Sequence, residues 1–291
     1  MSLTHKKITL VVNDYDERAL VAADYLRKWC TGKGIVFHQD DEKAQANLAT
    51  DLVVALGGDG TIIRAVHKFL HSETPILGVK FGRLGFLSGA HSDELIEAVD
   101  ATLQGRTEIE KRALLQVTAW SKDAQLGTYY ALNEAVLNRH TDSPVVSTRL
   151  SINGHTVYQL RGDGIIVSTA TGSTAYALSA GGPILSPESD AMALVPLASH
   201  TLINRSIVTA PKDLVRVDLS NSDYAGATLS IDGKVAIDNV YLERSSPSVG
   251  QALTHIELRI AEDYWVPLVK TSTRLFFDTL ATEFYRHEDL D

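Results

Sequence analysis

A turn with three glycines and one carboxylate, Gly57-Gly58-Asp59-Gly60-Thr61, joins the apolar run Leu52–Leu56 to the stretch Ile62–Leu70. The apolar run reads as a buried strand, and Ile62–Leu70 recurs as a helix does. A strand that turns directly into a helix commits this part of the chain to an alternating α/β arrangement. Glycine lets backbone come close to a bulky polyanion and reach positive φ. The helix start offers unpaired N–H groups and a favourable dipole for phosphate. Asp59 is out of place in a site that only binds phosphate, because it repels anions. A carboxylate there points to chemistry: holding a hydroxyl, accepting its proton, or binding a metal beside the phosphate.

The rest of the first third keeps the alternation. Lys7–Val12 reads as a strand, Tyr15–Trp29 as a helix ended by the Gly32–Gly34 region, and Ile35–Phe37 as a second strand. Pro75–Val79 is a further strand. Ser92–Leu103 is a helix with Ser92 as its cap and Glu94 near its first turn. Beyond Lys111 the texture becomes strand-like, over Leu114–Trp120, Gly127–Leu132, Val145–Ile152, Thr156–Leu160, Ile165–Ser168, Val215–Leu219, Thr228–Ile231 and Thr254–Ile260. Asn153-Gly154 and Asp232-Gly233 are hairpin-turn dipeptides. Thr271–Tyr285 places Leu275, Phe276, Leu280 and Phe284 with helical recurrence. The expected fold is an α/β N-terminal domain with a parallel sheet, plus a β-rich C-terminal domain, the C-terminal helix returning to the first. The expected boundaries are 1–110, joined by 268–291, and 111–267.

Charge and cysteine count narrow the function classes. A formal net charge of −9 over 291 residues disfavours general nucleic-acid binding. Cys30 is the only cysteine, so no intrachain disulfide and no multi-cysteine metal site can form. It continues the apolar stripe of Ala19, Ala22, Ala23 and Leu26, which gives it a packing role. No apolar signal segment opens the sequence and no run reaches transmembrane length, so no membrane association and a cytoplasmic location are expected.

A second dense stretch runs from Arg161 through Gly162-Asp163-Gly164 and Thr171-Gly172-Ser173-Thr174-Ala175-Tyr176 to Pro183. A strand here enters a loop of small hydroxyl residues, whose side chains and amides bind sugars, amides or phosphates. Tyr176 is placed to stack on a base or to pack in the core. Upstream, Asn133-Glu134 sets a carboxamide beside a carboxylate at a strand end, a pair that can read a base edge and a ribose. Taken alone, Ser/Thr/Gly stretches are loops and Asp-Gly pairs are turns. The glycine turn rises above that reading because it sits at the C-terminal end of a strand, where open α/β sheets bind ligands.

Together these segments resemble the NAD kinase family. That family carries a GGDGT turn, an Asn-Glu pair and a later DGxxVxTPTGSTAYxLSxGGP stretch, and all three occur here in order. Gly78–Leu87 resembles its GxNxGxLGFL element, Ser199–Arg205 its PHxLxxR element, and Ile231–Lys234 its DGQ turn. The likeness spans about Asp51 to Lys234. A GGDG turn alone is shared with diacylglycerol-type lipid kinases and 6-phosphofructokinases; the TGSTAY stretch with Asn-Glu is far more specific.

The resemblance implies transfer of a phosphoryl group from ATP or inorganic polyphosphate to the 2′-hydroxyl of the adenosine ribose of NAD, giving NADP. It implies a phosphate-donor domain, a dinucleotide-binding domain, a site between them, and a homodimer or homotetramer. Mg²⁺ or another divalent cation accompanies ATP, with no bound prosthetic group and no resident metal ligands. Asp59 becomes the catalytic residue that orients the 2′-hydroxyl and accepts its proton. Gly57, Gly58, Gly60 and Thr61 hold phosphate groups, and Arg64 adds positive charge. Asn133 and Glu134 bind the nucleotide. Arg161, Asp163, Thr174, Ala175, Tyr176, Ala177, Leu178, Ser179 and Lys234 complete the NAD-binding set.

The chain also departs from the family pattern. Ala170 and Ser199 stand where proline is usual, Lys80 where asparagine is common, and Lys234 where glutamine is common. No GxxxxGK[ST], GxGxxG or GxSxG fingerprint is present. His67 and His71 have the i,i+4 spacing of a two-imidazole helix face, without an HExxH to accompany it. Glu108, Glu110, Lys111 and Arg112 read as a solvated domain junction. Two rivals follow from the motifs: a lipid or sugar kinase using the same glycine turn, and a non-catalytic NAD(P)-binding regulator.

Overall fold

The computed structural model describes residues 3, 5–40, 49–82, 85–140, 145–200, 205–219, 227–238, 253–271 and 276–285. Arg83, Leu84, Thr201–Asn204 and Leu275, and the side chain of Phe284, lie outside the described residues. The chain divides into two compact units, Met1–Arg112 with Tyr264–Asp291, and Ala113–Asp263.

The first unit opens with β1 (Lys7–Val12), α1 (Glu17–Lys33), β2 (Val36–Gln39), β3 (Leu52–Leu56), α2 (Asp59–Lys68), β4 (Ile76–Lys80), β5 (Ala90–His91) and α3 (Leu95–Leu103). Its strands run parallel in the order β2-β1-β3-β4, with β5 parallel to β4. Parallel strands covered on both faces read as unbroken apolar runs, and every residue of β3 is buried. Asp16 caps α1 by accepting the Arg18 N–H, and Gly34 ends it at φ 69°. The helix buries Ala19, Ala23, Leu26 and Cys30, which gives Cys30 its packing role. Ser92–Glu94 forms a 3₁₀ turn ahead of α3. The cap lies one residue before Ser92, at His91, whose N–H donates to Glu94 Oε2 at 3.2 Å. α2 ends at Lys68, so His71 is off the helix and edges the Tyr264 ring at 5.3 Å, instead of facing His67.

β6 (Glu108–Ser121) crosses into the second unit. The charged run lies at the junction of the two units, as expected, with Glu108 and Lys111 exposed, but it is strand and its Arg112 is buried. Arg112 is only 2% exposed and pairs with Glu110 at 2.9 Å, while Lys111 lies 4.1 Å from the centre of the Trp265 ring. The second unit continues with β7 (Ala124–Ala131), β8 (Glu134–Arg139), β9 (Val146–Ile152), β10 (His155–Gly162), β11 (Gly164–Thr169), α4 (Tyr176–Ser179), β12 (Met192–Leu197), β13 (Ile207–Thr209), β14 (Val215–Leu219), β15 (Ala227–Ile231) and β16 (Lys234–Ile237). β17 (His255–Lys270) then returns to the first unit, followed by α5 (Phe276–Tyr285).

One antiparallel sheet has the order β13-β12-β11-β8-β15-β16. β10, β9, β14 and the first part of β17 pair antiparallel in a second layer. Alternate residues of both layers meet in one core: Ala135 and Leu137, Ile165 and Val167, Met192 and Leu194 from the first; Leu150, Val215, Ile256 and Leu258 from the second. The intervening residues Val136, Ile166, Ala193 and Val195 pack under Ala177 of α4. Asn153 and Gly154 have φ 51° and 81°, Asp232 and Gly233 46° and 76°, as tight hairpin turns require. Near its far end β17 pairs parallel with β4, Leu268 opposite Ile76. α5 also returns to the first unit, its Phe276 ring 5.5 Å from that of Phe86. Among the described residues no helix is long and apolar enough to cross a membrane.

Candidate active site

In the first unit the glycine turn sits where β3 meets α2. Leu56 pairs with Val79, and the Gly57 N–H donates to the Val79 carbonyl at 3.0 Å. Gly57 has φ 154°, and an added Cβ would strike Thr61 Oγ1 and lie 3.0 Å from Asn13 Cβ, so only glycine turns the chain here. Gly58 is the extended cap, its carbonyl accepting from the Thr61 N–H at 2.9 Å. The helix thus begins at Asp59, three residues before the Ile62 expected from spacing. A Cβ at Gly58 or Gly60 would meet nothing within 4 Å. The packing of the described residues therefore gives no reason for glycine at either place. Bare backbone at a helix N-terminus on the C-terminal edge of a parallel sheet is suited to close approach by a polyanion.

Asp59 is the one carboxylate in that bare turn. Its Oδ1 lies 3.4 Å from Lys80 Nζ, with the side chains 38% and 25% exposed respectively. Gly85 packs directly over the pair: a Cβ there would lie 2.6 Å from Asp59 Oδ1 and would strike Lys80 Nζ. Lys270 Nζ stands nearby, donating to the carbonyls of Phe86 and Ser88 at 3.5 and 3.4 Å and lying 3.7 Å from Glu110 Oε2. Burial, then the Arg112 charge, holds the Lys270 pKa below the usual lysine value, against the pull of Glu110 and Asp59. Arg64 donates from its guanidinium to the Val12 carbonyl at the end of β1.

In the second unit Asn133 ends the turn from β7 to β8, and Glu134 opens β8. Asp232 braces that turn from the β15–β16 hairpin. Its carboxylate accepts the N–H groups of Leu132 and Asn133, each at 2.8 Å, and of Glu134 at 3.1 Å. Thr169, at the end of β11, donates its N–H to the Asn133 carbonyl at 2.9 Å and its hydroxyl to the Leu132 carbonyl at 2.6 Å. Gly172 lies against the same peptide: an added Cβ would overlap the Asn133 carbonyl oxygen and lie 2.5 Å from its carbon. Glu134 is buried, and its Oε2 has no hydrogen-bond partner among the described residues. Burial first, and the Asp232 charge second, push its pKa up from 4.5 to about 7, while the Tyr176 N–H opposes the rise.

The expected loop after Thr169 is helical. Thr171–Thr174 form a 3₁₀ turn that leads into α4. Ser173 Oγ donates to the Ala170 carbonyl at 2.6 Å and accepts the Leu185 N–H at 3.0 Å. Ala170 takes φ −58°, the value a proline would hold, so the local path survives without the ring. Tyr176 is 48% exposed, Ser179 is exposed, and Thr174, Ala175 and Leu178 are half-buried. Ala177 is the exception: its methyl is buried under the sheet and its carbonyl accepts from the Gly182 N–H. Asp163 pairs with Arg139 at 2.8 Å, Arg161 is exposed on β10, and Lys234 is exposed at the start of β16.

The glycine turn therefore comes together with Lys80, Gly85 and Lys270, and the Asn-Glu pair with Asp232, Thr169, Gly172 and Tyr176. Lys270 and Arg139 were missed by sequence reasoning, because neither sits in a motif. Among the described residues no three His, Cys, Asp or Glu side chains converge as a metal site.

A carboxylate heading a bare glycine turn, on one unit, and a hydroxyl-rich turn beside a buried Asn-Glu pair, on the other, are features suited to phosphoryl transfer to a hydroxyl. Comparison with known proteins narrows this. The ATP-NAD kinase N-terminal domain matches residues 5–107 and the ATP-NAD kinase C-terminal domain residues 132–248. An NAD kinase of Citrifermentans bemidjiense is 34% identical over 247 residues, covering 80% of this chain and 86% of its own. Yeast NADH kinase, solved with NADH, shares the fold at a TM-score of 0.79 and 22% identity, over 99% of this chain and 89% of its own. An Archaeoglobus fulgidus NAD kinase solved with ATP does so at 0.70 and 24%, over 96% and 98%. The chain belongs to the NAD kinase family of phosphotransferases.

Proposed function

We propose that this enzyme transfers the γ-phosphoryl group of Mg-ATP to the 2′-hydroxyl of the adenosine ribose of NAD. The observation that carries the reading is Asp59 at the head of α2, flanked by glycines that no neighbour among the described residues requires. Asp59 accepts a hydrogen bond from the 2′-hydroxyl and takes its proton. The hydroxyl oxygen bonds to the γ-phosphorus, the bond from phosphorus to the bridging oxygen breaks, and ADP leaves. The N–H groups of the glycine turn hold the phosphates, and Mg²⁺, carried on them as part of the donor, neutralises their charge.

In the second unit Asn133 and Glu134 bind the dinucleotide through their side chains, and the exposed face of Tyr176 takes a ring of it. Thr174, Ala175, Leu178, Ser179, Asp163, Arg161 and Lys234 complete the contacts. On this reading residues 1–110 with 268–291 serve the phosphate donor and 111–267 the dinucleotide, in a homo-oligomer.

The test is NADP formation from NAD with Mg-ATP, and with polyphosphate in parallel, read by an NADP-specific dehydrogenase. Asp59→Asn is expected to lower turnover at least ~100-fold while calorimetry still detects NAD binding. Near-normal turnover in Asp59→Asn removes that residue from its role. NAD binding without NADP formation by the wild-type protein favours the regulator.

A further inference from the structure

We propose that Lys80 contacts the phosphoryl group being transferred: it rests on Asp59 in the substrate-free protein and passes to the phosphate once the acceptor hydroxyl engages Asp59. The inference rests on the reading of Asp59 as the residue that holds the 2′-hydroxyl.

Two lysines stand near Asp59, and they are held differently. Lys270 Nζ has three oxygen neighbours, the Phe86 and Ser88 carbonyls and Glu110 Oε2, all within 3.7 Å. Three oxygens thus surround that ammonium, although each contact is as long as the one Lys80 makes, or longer. Lys80 Nζ has one oxygen partner among the described residues, Asp59 Oδ1, at 3.4 Å. A contact that long, between side chains 25% and 38% exposed, is weak and easily exchanged. Among the described residues two of the ammonium's donors are left over.

Position supports the assignment. Lys80 is the last residue of β4, which pairs with β3 up to the glycine turn. Strand register, not a loop, therefore delivers its charge to the place where α2 exposes its first N–H groups. Gly85 brings no side chain between Lys80 and Asp59. When a hydroxyl donates to Asp59, the ammonium needs another anion, and the phosphoryl group joining that hydroxyl oxygen is adjacent. After transfer the same ammonium faces the new 2′-phosphate. Lys80 thus touches the one group that NADP has and NAD lacks.

The test compares NAD and NADP affinities by calorimetry on the full-length wild-type, Lys80→Met and Lys80→Arg proteins. Loss of a charge-assisted hydrogen bond is expected to lower the preference for NADP over NAD about 10-fold in Lys80→Met, through the NADP arm alone. Lys80→Arg is expected to recover most of it. An unchanged ratio in Lys80→Met, or the same ratio in Lys80→Arg as in Lys80→Met, overturns the assignment. A wild-type protein that makes no NADP sinks the reading of Asp59; one that makes NADP while Lys80→Met keeps its ratio sinks the role of Lys80 alone.

Discussion

Glu134→Gln should make the protein more stable at alkaline pH while weakening its hold on NAD. Glu134 is buried, Oε2 lacks a hydrogen-bond partner among the described residues, and Asp232 lies close enough to repel its charge. The folded-state pKa is accordingly about 7, against 4.5 for a free glutamate. A group whose pKa is raised by folding contributes fully below the unfolded value, and that contribution is lost as pH rises through the folded value. The window is therefore about pH 4.5 to 7. At about 1.4 kcal/mol for each tenfold change in proton affinity, ionising Glu134 costs on the order of 3 kcal/mol by pH 8. Glutamine keeps the shape and removes the charge. Urea unfolding of both proteins between pH 4.5 and 8 tests this, because other titrating groups cancel in the difference. The variant should gain on the wild type by about 3 kcal/mol across the window. Parallel stability curves would refute the reasoning, and with it the burial of an ionisable carboxylate at this turn.

Two further outcomes follow from the same unit. Tyr176→Ala should raise the KM for NAD about tenfold with little change in Tm, since the residue is 48% exposed and contributes little packing; a lowered Tm with an unchanged KM would return Tyr176 to the core. Gly172→Ala should destabilise by about 1–3 kcal/mol, because its Cβ would overlap the Asn133 carbonyl, a backbone group that Thr169 also holds; a wild-type Tm in thermal unfolding would show that this turn has slack.

What the sequence made legible was local. Strand β3 and the glycine turn were readable because an apolar run, three glycines and a helical recurrence are contiguous. The true helix start was not, since Gly58 and Gly60 argue against helix while the cap geometry depends on the Gly58 carbonyl. The Asp232-Gly233 turn was readable as a hairpin. Its brace on Leu132–Glu134 was not, because those bonds join residues about a hundred positions apart. β8 and β12 escaped although they are apolar runs like β11 between them, which was read as strand. Arg112 looked solvated because charge was weighed without the partner, Glu110, and the strand that buries it. The Thr171–Ser179 segment read as loop since its small residues carry no period; Ser173, bonding to both Ala170 and Leu185, shapes it.

β17 carries a consequence for the order in which the protein is made. A ribosome delivers β1 to β4 first, then all of Ala113–Asp263, and only afterwards the strand residue Leu268 that pairs with Ile76. Until then the Ile76 end of β4 presents an unpaired edge, a template for wrong partners. Translation pauses or slow-folding lesions in the second unit would prolong that exposure. Damage that only slows folding of the second unit would then surface as aggregation of nascent chains, with the specific activity of the molecules that finish folding left intact.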